Sequence, residues 1–509
     1  MMLLLGAGCA SLPPQPATRE TSTALTDTGD TSLGRTIAPH LDAATQESVF
    51  YPLSQGAEAF VARLGLIRAA ERSLDVQYYM IHTDATGNAL FRELLHAADR
   101  GVRVRLLIDD IHTETEDPLL AALDAHPHIE VRIFNPFVHR SSRMWNFATD
   151  YRRVNRRMHN KSLTADNQAT IVGGRNVGDE YFAAGSDVDF SDLDVLGGGP
   201  VVAEVSAEFD RYWNSAVVWP VSALLAAPDA AAVKTQYDLL EQAVAVERQS
   251  DYAKGLPTLE LVRAIEEKRL EVFRGTGTVI SDPPEKVTMP VDESAHAILQ
   301  LSQIMEKAQH EIFLISPYFV PGRPGTDWLV AQAKRGVKVR ILTNSFLATD
   351  VGAVHSGYMT YRKDLLEAGV EIYELKPSAK AVATTEAIKE EKKKGGVSGS
   401  RASLHAKTYM VDGKTIFVGS LNLDPRSARL NTEMGIVLES QALAGRFRDR
   451  FDPQILDVAY RVELHPDGKT TWTTREAGKE VVVDSEPGMS GFKRFGMFIA
   501  RVLPMEEQL

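Results

Sequence analysis

Four polar residue types recur at the same spacing in two places along the chain. The first stretch, MHNKSLTADNQATIVGGRN, covers residues 158–176, and the second, LHAKTYMVDGKTIFVGSLN, covers residues 404–422. In each, a histidine is followed by a lysine two residues on, an aspartate seven residues on and an asparagine seventeen residues on. These candidate site residues are His159, Lys161, Asp166, Asn176, His405, Lys407, Asp412 and Asn422. One such set is compatible with an ordinary polar turn, whereas duplication at equal spacing predicts two halves of one site.

The residue types predict phosphodiester chemistry. Histidine and lysine alternate along an extended segment, so both side chains are expected on one face of the chain. If the following segment returns as a hairpin, Asn176 lies beside His159. Two lysines and two asparagines around one point suit a tetrahedral phosphate, because they stabilise charge that develops on its oxygens. One histidine can attack phosphorus, and the other can protonate the leaving oxygen and deprotonate the incoming hydroxyl.

No metal or other cofactor is expected. This chemistry does not require one, and the sequence lacks the clustered carboxylate or Cys/His ligands of a typical dedicated metal centre.

The elements that must position these residues also repeat. Hydrophobic patterns predict strands at residues 72–81, 102–110, 129–137, 310–320, 337–345 and 370–377, and helices at 87–101 and 326–336. The stretch ADRGVRVRLL (98–107) is close to AKRGVKVRIL (333–342). Strands that alternate with helices predict an α/β fold class. We expect two homologous α/β/α halves, each a mostly parallel mixed sheet flanked by helices, packed with pseudo-twofold symmetry around one active site.

Changes in composition predict five segments. Residues 1–35 form a signal-like or lipoprotein-like segment and flexible tether, and residues 461–509 form a C-terminal extension. Between them lie the N-terminal half at 36–220, a helical connector at 221–290 and the C-terminal half at 291–460. A charged and then Gly/Ser-rich stretch at 380–400 is expected to be a mobile loop.

Composition narrows the class of protein. The chain has 509 residues, of which 44% are hydrophobic and 24% charged, so it can bury a large core. Its net charge of −12 and its lack of a basic tail do not favour nucleic acid as a partner. The single cysteine, Cys9, excludes an intramolecular disulfide. No run of 18 apolar residues occurs, so no membrane-spanning helix is expected.

Both ends of the sequence have features of membrane attachment. A short apolar run and small residues precede Cys9, as at a bacterial lipidation site, although the run is shorter than a normal signal and lacks a positive region. The alternative is a frayed N-terminus. The C-terminal segment 491–509 places Phe492, Phe495 and Phe498 on roughly one helical face, which fits either an interfacial membrane helix or docking on the protein's own core.

The paired His-x-Lys-x4-Asp motifs, each followed by Gly-Gly/Ser-x-Asn, resemble the phospholipase D superfamily. Phrases such as RGVRVRLLIDD, NRRMHNKS and GSLNLDPRS are most similar to bacterial cardiolipin synthases of the C type. The likeness covers roughly residues 50–460. It implies a phosphatidyl-histidine intermediate, with His159 as the nucleophile and His405 as the acid/base, although exchanged roles stay open.

Further site residues follow from the resemblance. Family members carry an acidic residue that hydrogen-bonds the motif histidine and fixes its tautomer. This implies Glu433 as the partner of His405 and Asp192 as the partner of His159, with Asp194 as a competitor for the second role. Asp166 and Asp412 are expected to be structural partners and not proton carriers.

The run YRRVNRRMH (151–159) adds a basic cluster in front of the first motif. Arg156 and Arg157 are candidate substrate-binding residues that could contact lipid phosphates or an anionic membrane surface, as could Arg152 and Arg153. Solvated charges at a strand edge are the alternative.

The resulting hypothesis is a cardiolipin synthase-like phosphatidyltransferase that acts on phosphatidylglycerol as acceptor, with phosphatidylethanolamine or a second phosphatidylglycerol as donor. A phospholipase D that uses water as acceptor is the close alternative. A nuclease and a non-catalytic lipid-binding envelope lipoprotein are remoter ones, and protein partners are unknown. The expected location is membrane-associated in a bacterium, either as a lipoprotein facing the periplasm or peripheral on the inner membrane.

Overall fold

A computed structural model describes residues 12–15, 20–42, 44–140, 142–184, 188–288, 291–349, 351–377 and 401–489. The predictions about Cys9, the loop 380–400 and the C-terminal segment 491–509 fall outside the described residues. Within the described ranges, no helix is both long and apolar enough to cross a bilayer.

The N-terminal half runs from strand β1 to strand β9. Its strands are β1 (Ser48–Leu53), β2 (Ser73–Tyr78), β3 (Arg103–Asp109), β4 (Ile129–Phe134), β5 (Ser162–Ala165), β6 (Ala169–Gly173), β7 (Val188–Ser191), β8 (Asp194–Gly198) and β9 (Val218–Pro220). Its helices are α1 (Ser32–Ile37), α2 (Gly56–Ala69), α3 (Ala85–Asp99), α4 (Asp117–Asp124), α5 (Arg143–Thr149), α6 (Tyr151–Val154), α7 (Asp179–Phe182) and α8 (Pro200–Trp213).

The linking region and the C-terminal half follow. Their helices are α9 (Val221–Leu224), α10 (Ala230–Glu247), α11 (Asp251–Gly255), α12 (Glu260–Glu266), α13 (Ala297–Met305), α14 (Gly322–Lys334), α15 (Gly352–Glu367), α16 (Pro425–Arg429) and α17 (Gln441–Val458). Their strands are β10 (Phe273–Ser281), β11 (Glu311–Ile315), β12 (Lys338–Asn344), β13 (Glu371–Leu375), β14 (Arg401–Leu404), β15 (Lys407–Val411), β16 (Thr415–Gly419), β17 (Met434–Glu439), β18 (Ala459–Leu464), β19 (Thr470–Glu476) and β20 (Lys479–Val483).

The two halves share one strand order. In the N-terminal half the order is β9, β4, β3, β2, β5, β6, β8, β1. In the C-terminal half it is β18, β13, β12, β11, β15, β16, β17, β10. Strands β1 and β10 pair with each other and join the halves into one sheet. Strands β19 and β20 extend this sheet beyond β18, which gives 18 strands in all. The predicted α/β class and duplication are confirmed.

The parallel part of each half is narrower than predicted. Only β2, β3 and β4 are mutually parallel in the first half, and only β11, β12 and β13 in the second. The remaining neighbours in this sheet are antiparallel. The expectation of a mostly parallel sheet was wrong because helical crossovers join only these strands, whereas β5–β6 and β15–β16 are tight hairpins, which force antiparallel pairing.

The segment predicted as a helical connector contains a strand that sequence inspection missed. Residues 221–266 carry helices α9 to α12, but Phe273–Ser281 forms β10, which pairs with both β1 and β17. Most of β10 is at least partly exposed, and it carries glycines at 275 and 277, so it lacks the apolar run of a buried strand. The segment boundaries given above stay predictions.

Candidate active site

Two equivalent hairpins carry the paired motifs. β5 and β6 pair across a turn at residues 166–168, and β15 and β16 pair across a turn at 412–414. Asp166 and Asp412 begin these turns, both with φ 52°. Their carboxylates accept hydrogen bonds from the backbone N–H groups of residues 71–73 and 309–311, respectively. Each aspartate therefore ties its hairpin to the start of the neighbouring strand, β2 or β11, as expected of a structural residue.

His159 is oriented by the opposite half of the molecule. Its Nδ1 lies 2.9 Å from Oε2 of Glu433, which immediately precedes β17, and 3.2 Å from the carbonyl oxygen of Ser420. A carbonyl oxygen can only accept, so Nδ1 carries the proton. The lone pair of His159 is therefore on Nε2.

His405 is oriented in the equivalent way, by an acid of the other half. Its Nδ1 lies 2.6 Å from Oδ2 of Asp192, a residue of the N-terminal half. The expected pairing of each histidine with an acid of its own half was wrong: Glu433 serves His159, and Asp192 serves His405. Asp194 does not compete for either role, because it is fully buried in ion pairs with Arg63 and Arg175.

Main-chain contacts between the halves explain this exchange. The N–H of His159 donates to the carbonyl of Thr432, at 2.8 Å, and the N–H of His405 donates to the carbonyl of Ser191, also at 2.8 Å. Each of these carbonyls belongs to the residue before the acid that serves the same histidine. Strands β7 and β14 add a parallel two-stranded contact between the halves next to this junction. Each half alone therefore lacks the carboxylate that orients its own histidine.

The two motif lysines are buried in the same charged cluster. Lys161 and Lys407 are each 1% exposed, and each ammonium donates to the carbonyl of the histidine two residues earlier. Burial lowers the pKa of Lys161 well below its ordinary value; Glu433 opposes this shift and the Lys407 ammonium adds to it. Mutual repulsion between two buried cations is relieved when an anion binds between them, which favours a phosphate ligand.

The histidines are held neutral in the absence of such an anion. Burial lowers the pKa of His159, with Glu433 opposing and Lys161 reinforcing the shift. Burial and the Lys407 ammonium, which lies 2.9 Å from Nδ1, lower the pKa of His405 against the opposing effect of Asp192. Burial alone would raise the pKa of Asp192, but His405 and Lys407 outweigh it and keep this carboxyl ionised. A neutral imidazole with a free Nε2 lone pair is the form needed for nucleophilic attack.

An aromatic ring lies against each motif histidine. Neither ring was identified from the sequence. Tyr79 meets the His159 ring edge-on with centroids 5.1 Å apart, and Tyr181 meets the His405 ring in the same way at 5.2 Å. The Tyr181 hydroxyl also accepts a hydrogen bond of 2.9 Å from the Asn176 amide. Asn176 is thus linked to His405 through Tyr181, and its predicted position beside His159 stays a prediction. Tyr79 directly follows β2 and Tyr181 lies within the one-turn helix α7, so no local pattern marked them.

The residue that lies against the orienting acid differs between the two motifs. Ser420 donates a hydrogen bond to Oε2 of Glu433, and Ser427 donates to Oε1 at 2.8 Å. At the position equivalent to Ser420 stands Gly174, where an added Cβ would lie 2.3 Å from Oδ1 of Asp192. The shorter aspartate is held so close to the backbone that only glycine fits, whereas glutamate leaves room for a serine. The difference between GGRN and GSLN was visible in the sequence, but the contact with the orienting acid that explains it was not.

Two of the arginines before His159, Arg156 and Arg157, have different environments. Arg157 is 3% exposed, lies 3.3 Å from Asp109 and packs over the Phe137 ring. Arg157 is therefore packed in the interior, and its role as a substrate-binding residue stays a prediction. Arg156 donates to the carbonyl of Lys286 at 2.8 Å and is half-buried. Its role as a substrate-binding residue stays a prediction.

One group in the described part of the chain combines side chains of the types that bind metal ions. His82 Nδ1 lies 3.8 Å from Asp84 Oδ2 and 3.6 Å from Glu180 Oε1. Asp84 already accepts backbone hydrogen bonds from Gly87 and Asp179, so it has a structural role at the start of α3. The proposed histidine chemistry does not use this group.

Comparison with known proteins decides the family. Residues 64–213 and 301–455 match the family described as "Cardiolipin synthase, PLD-like domain". The chain belongs to this family. It is 42% identical to cardiolipin synthase C of Escherichia coli over 90% of this chain and 95% of that protein. It is 24% identical to a cardiolipin synthase of Listeria monocytogenes over 81% of this chain and 70% of that protein.

The structural comparison agrees on the fold. The solved phosphatidylserine synthase of Haemophilus influenzae aligns over 92% of this chain and 96% of its own, with a TM-score of 0.57 and 13% identity. The two matched segments lie one in each half of the sheet, as duplication requires. The predicted membership of the phospholipase D superfamily and the assignment as an enzyme of the cardiolipin synthase type are confirmed.

Proposed function

We propose that this enzyme synthesises cardiolipin by moving a phosphatidyl group from a donor phospholipid to the free glycerol hydroxyl of phosphatidylglycerol. The observation that carries the proposal is the crosswise pair of histidine–carboxylate contacts, with two buried lysines in the same charged cluster. Such an arrangement binds the phosphodiester anion and offers one nucleophile and one acid/base. The 42% identity to a cardiolipin synthase supports this choice of reaction over other phosphodiester reactions.

The first half-reaction forms a phosphatidyl-histidine. The bound phosphodiester anion raises the pKa of His405, which takes up a proton. Nε2 of His159 then attacks phosphorus, the bond between phosphorus and the headgroup oxygen breaks, and His405 supplies its proton to that oxygen. Glu433 accepts the Nδ1 proton of His159 in a hydrogen bond and stabilises the positive charge that the ring acquires. Lys161 and Lys407 stabilise charge on the phosphoryl oxygens.

The second half-reaction releases the product. His405, now neutral, takes the proton of the phosphatidylglycerol hydroxyl, whose oxygen attacks phosphorus as the nitrogen–phosphorus bond breaks. His159 returns to its neutral form, and His405 is again protonated. His159 is assigned as the nucleophile because its Nδ1 faces only acceptors, a carboxylate and a carbonyl, which leaves Nε2 unprotonated. Nδ1 of His405, by contrast, faces both a carboxylate and the Lys407 ammonium.

An isotope experiment tests both the reaction and the donor. Purified protein is incubated with vesicles that contain phosphatidylethanolamine with deuterated acyl chains and phosphatidylglycerol with ordinary chains, and products are identified by mass spectrometry. Cardiolipin with one heavy and one light diacylglycerol unit identifies phosphatidylethanolamine as donor. Fully light cardiolipin with released glycerol identifies phosphatidylglycerol as donor.

Two other results would overturn the proposal. Phosphatidic acid without cardiolipin would make the enzyme a phospholipase D, and cleavage of DNA without any lipid product would make it a nuclease. His159→Ala is the inactive reference, and His128→Ala, which alters an exposed histidine, is its matched control.

A further inference from the structure

A large cavity lies beside the histidine centre without including it. Its volume is about 1360 Å³, and it is bounded by α6 of the N-terminal half and by α13, α14 and α16 of the C-terminal half. The motif histidines and lysines are not among its lining residues. The proposed chemistry therefore leaves this cavity without a function.

One wall of the cavity is apolar and continuous. It includes Leu299, Met305, Phe319, Trp328 and Leu329. Leu299 is 38% exposed although it lies on a helix whose other face is buried. Trp328 is also partly exposed, whereas Met305, Phe319 and Leu329 are buried behind them. An apolar wall around a cavity of this size is typical of a site for an apolar ligand.

The cavity presents arginines that are not neutralised by ion pairs among the described residues. Among the basic residues that line it, Arg153, Lys286 and Arg323 are paired with Asp150, Asp282 and Asp364. Arg152 and Arg429 are exposed, and neither forms an ion pair within the described part of the chain. Guanidinium groups without ion pairs beside an apolar wall are complementary to a ligand with a phosphate and hydrocarbon chains.

Two buried nitrogens at the cavity also lack partners. Nε1 of Trp328 and Nε2 of His296 are inaccessible to solvent and have no hydrogen-bond partner among the described residues. Both side chains line the cavity. A buried polar atom without a partner is costly, so a small movement of either side chain that brings its nitrogen to a ligand oxygen would be favourable.

We propose that this cavity binds one anionic glycerophospholipid, with its phosphate at the arginines Arg152 and Arg429 and its acyl chains along the wall that contains Leu299 and Trp328. The occupant is a lipid and not a free phosphate, because the apolar wall is as extensive a feature as the cationic one. It is anionic and not zwitterionic because, among the described residues, the guanidinium groups of Arg152 and Arg429 have no carboxylate partner that a zwitterionic headgroup's ammonium would otherwise duplicate. This inference concerns binding and holds whether or not the bound molecule is a substrate.

The cavity wall is connected to the histidine centre by three hydrogen bonds. Oδ1 of Asp424, a lining residue, accepts from the backbone N–H of Ser427 at 2.7 Å. The Ser427 hydroxyl donates to Glu433 at 2.8 Å, and Glu433 contacts His159 at 2.9 Å. A lipid held here lies next to the residues that orient the nucleophile.

Photo-crosslinking tests the proposal without turnover. The His159→Ala full-length chain is mixed with phosphatidylcholine vesicles that contain a trace of phosphatidylglycerol with a photoactivatable acyl chain, and labelled peptides are mapped by mass spectrometry. We expect the label on peptides of α13 and α14. A phosphatidylcholine probe of the same design should label these peptides at least about fivefold less, because a zwitterionic headgroup gains less from the arginines.

Paired charge reversals provide the control. In the same background, Arg152→Glu with Arg429→Glu should reduce labelling of α13 and α14 by about tenfold or more, since each cation near an anionic lipid contributes roughly 1 kcal/mol. Arg248→Glu with Arg263→Glu changes net charge equally at exposed positions outside the cavity and should leave labelling unchanged. Leu299→Asp should also reduce it, because a carboxylate then faces the acyl chains. Thermal unfolding checks that each variant is folded.

Several results would overturn the proposal. The proposal fails if both arginine double variants lose labelling equally, or if the two probes label the peptides equally. It also fails if Leu299→Asp is labelled as strongly as its parent, or if the label is confined to the histidine motifs or to residues 490–509. Failure of cardiolipin synthesis by the wild-type chain is a separate result, because labelling is measured on an inactive variant.

Discussion

Nδ1 of His159 lies 2.9 Å from a carboxylate oxygen of Glu433, a residue that belongs to the other half of the duplicated fold. The reciprocal contact joins His405 to Asp192. Two copies of one motif thus form a single site whose histidines are each oriented by the partner copy. This exchange makes the interface between the halves part of the catalytic apparatus.

The crosswise contact predicts a specific loss in Glu433→Gln. The amide keeps the shape of the side chain but removes the charge that stabilises a cationic His159, so cardiolipin formation should fall by about 10²- to 10⁴-fold. In ¹⁵N-histidine NMR spectra, the signals of His159 should shift more than those of His405. Asp192→Asn should do the reverse. Glu439→Gln, at the exposed end of β17, the strand that Glu433 precedes, is the control. A larger shift at His405 in Glu433→Gln would contradict the assignment.

The assignment of the nucleophile predicts different behaviour of the two histidine variants. With a p-nitrophenyl ester of phosphatidic acid, the leaving group departs without protonation, so His405→Ala should still form the intermediate but release it slowly. Mass spectrometry of the quenched variant should show a phosphatidyl group on His159. His159→Ala should form no adduct and lose at least about a thousandfold in rate. An adduct on His405 in that variant would exchange the roles.

The difference between Gly174 and Ser420 predicts unequal costs of substitution. Gly174→Ala places a Cβ against the Asp192 carboxylate, which must move away from His405, and activity should fall by about tenfold or more. Ser420→Gly removes one of several hydrogen bonds to Glu433 and should cost roughly two- to fivefold. Steady-state rates with phosphatidylglycerol vesicles measure both. Equal effects would show that the contact at position 174 is not restrictive.

The structural role of the motif aspartates predicts a loss of stability before a loss of chemistry. Three backbone N–H groups donate hydrogen bonds to the carboxylate of Asp166, and three donate to that of Asp412. Asn also adopts a positive φ, but its side chain has only one acceptor oxygen and no charge. Each Asp→Asn substitution should lower the free energy of unfolding by about 1–3 kcal/mol. Thermal unfolding measures this loss, with the exposed Asp449→Asn as control. At 20 °C the folded fraction should retain most of its activity.

A pH effect on stability follows from Asp424. Burial raises the pKa of this carboxyl to about 7, with Glu433 adding to the shift, against an ordinary value of 3.8. The protonated form is therefore favoured by folding. This contribution is complete below about pH 4 and is lost as pH rises through 7, a change of at most about 4 kcal/mol.

Asp424→Asn removes that titration and still caps α16. Between pH 5 and pH 8, the unfolding temperature of the wild-type protein should therefore fall relative to that of the variant. The difference should level off above the pKa of Asp424. Parallel pH curves for the two proteins would refute the raised pKa.

Spacing along the chain determined much of this protein. The duplicated His, Lys, Asp and Asn residues, the repeated strands and helices, and the structural role of Asp166 and Asp412 were all predictable, because they depend on local periodicity and on residues that share one hairpin. Family membership followed from the same motifs.

Only the tertiary structure decided which residues face each other across the two halves. The sequence placed Glu433 and Asp192 as partners of a motif histidine, but each acid reaches the histidine of the other half because β1 and β10 join the sheets and the motif backbones bond across the junction. The burial of Arg157 against Asp109, the last residue of β3, was likewise not indicated by the basic run in which it lies. Order along the chain specifies neighbours within an element, whereas packing between elements specifies the contacts that orient a reactive group.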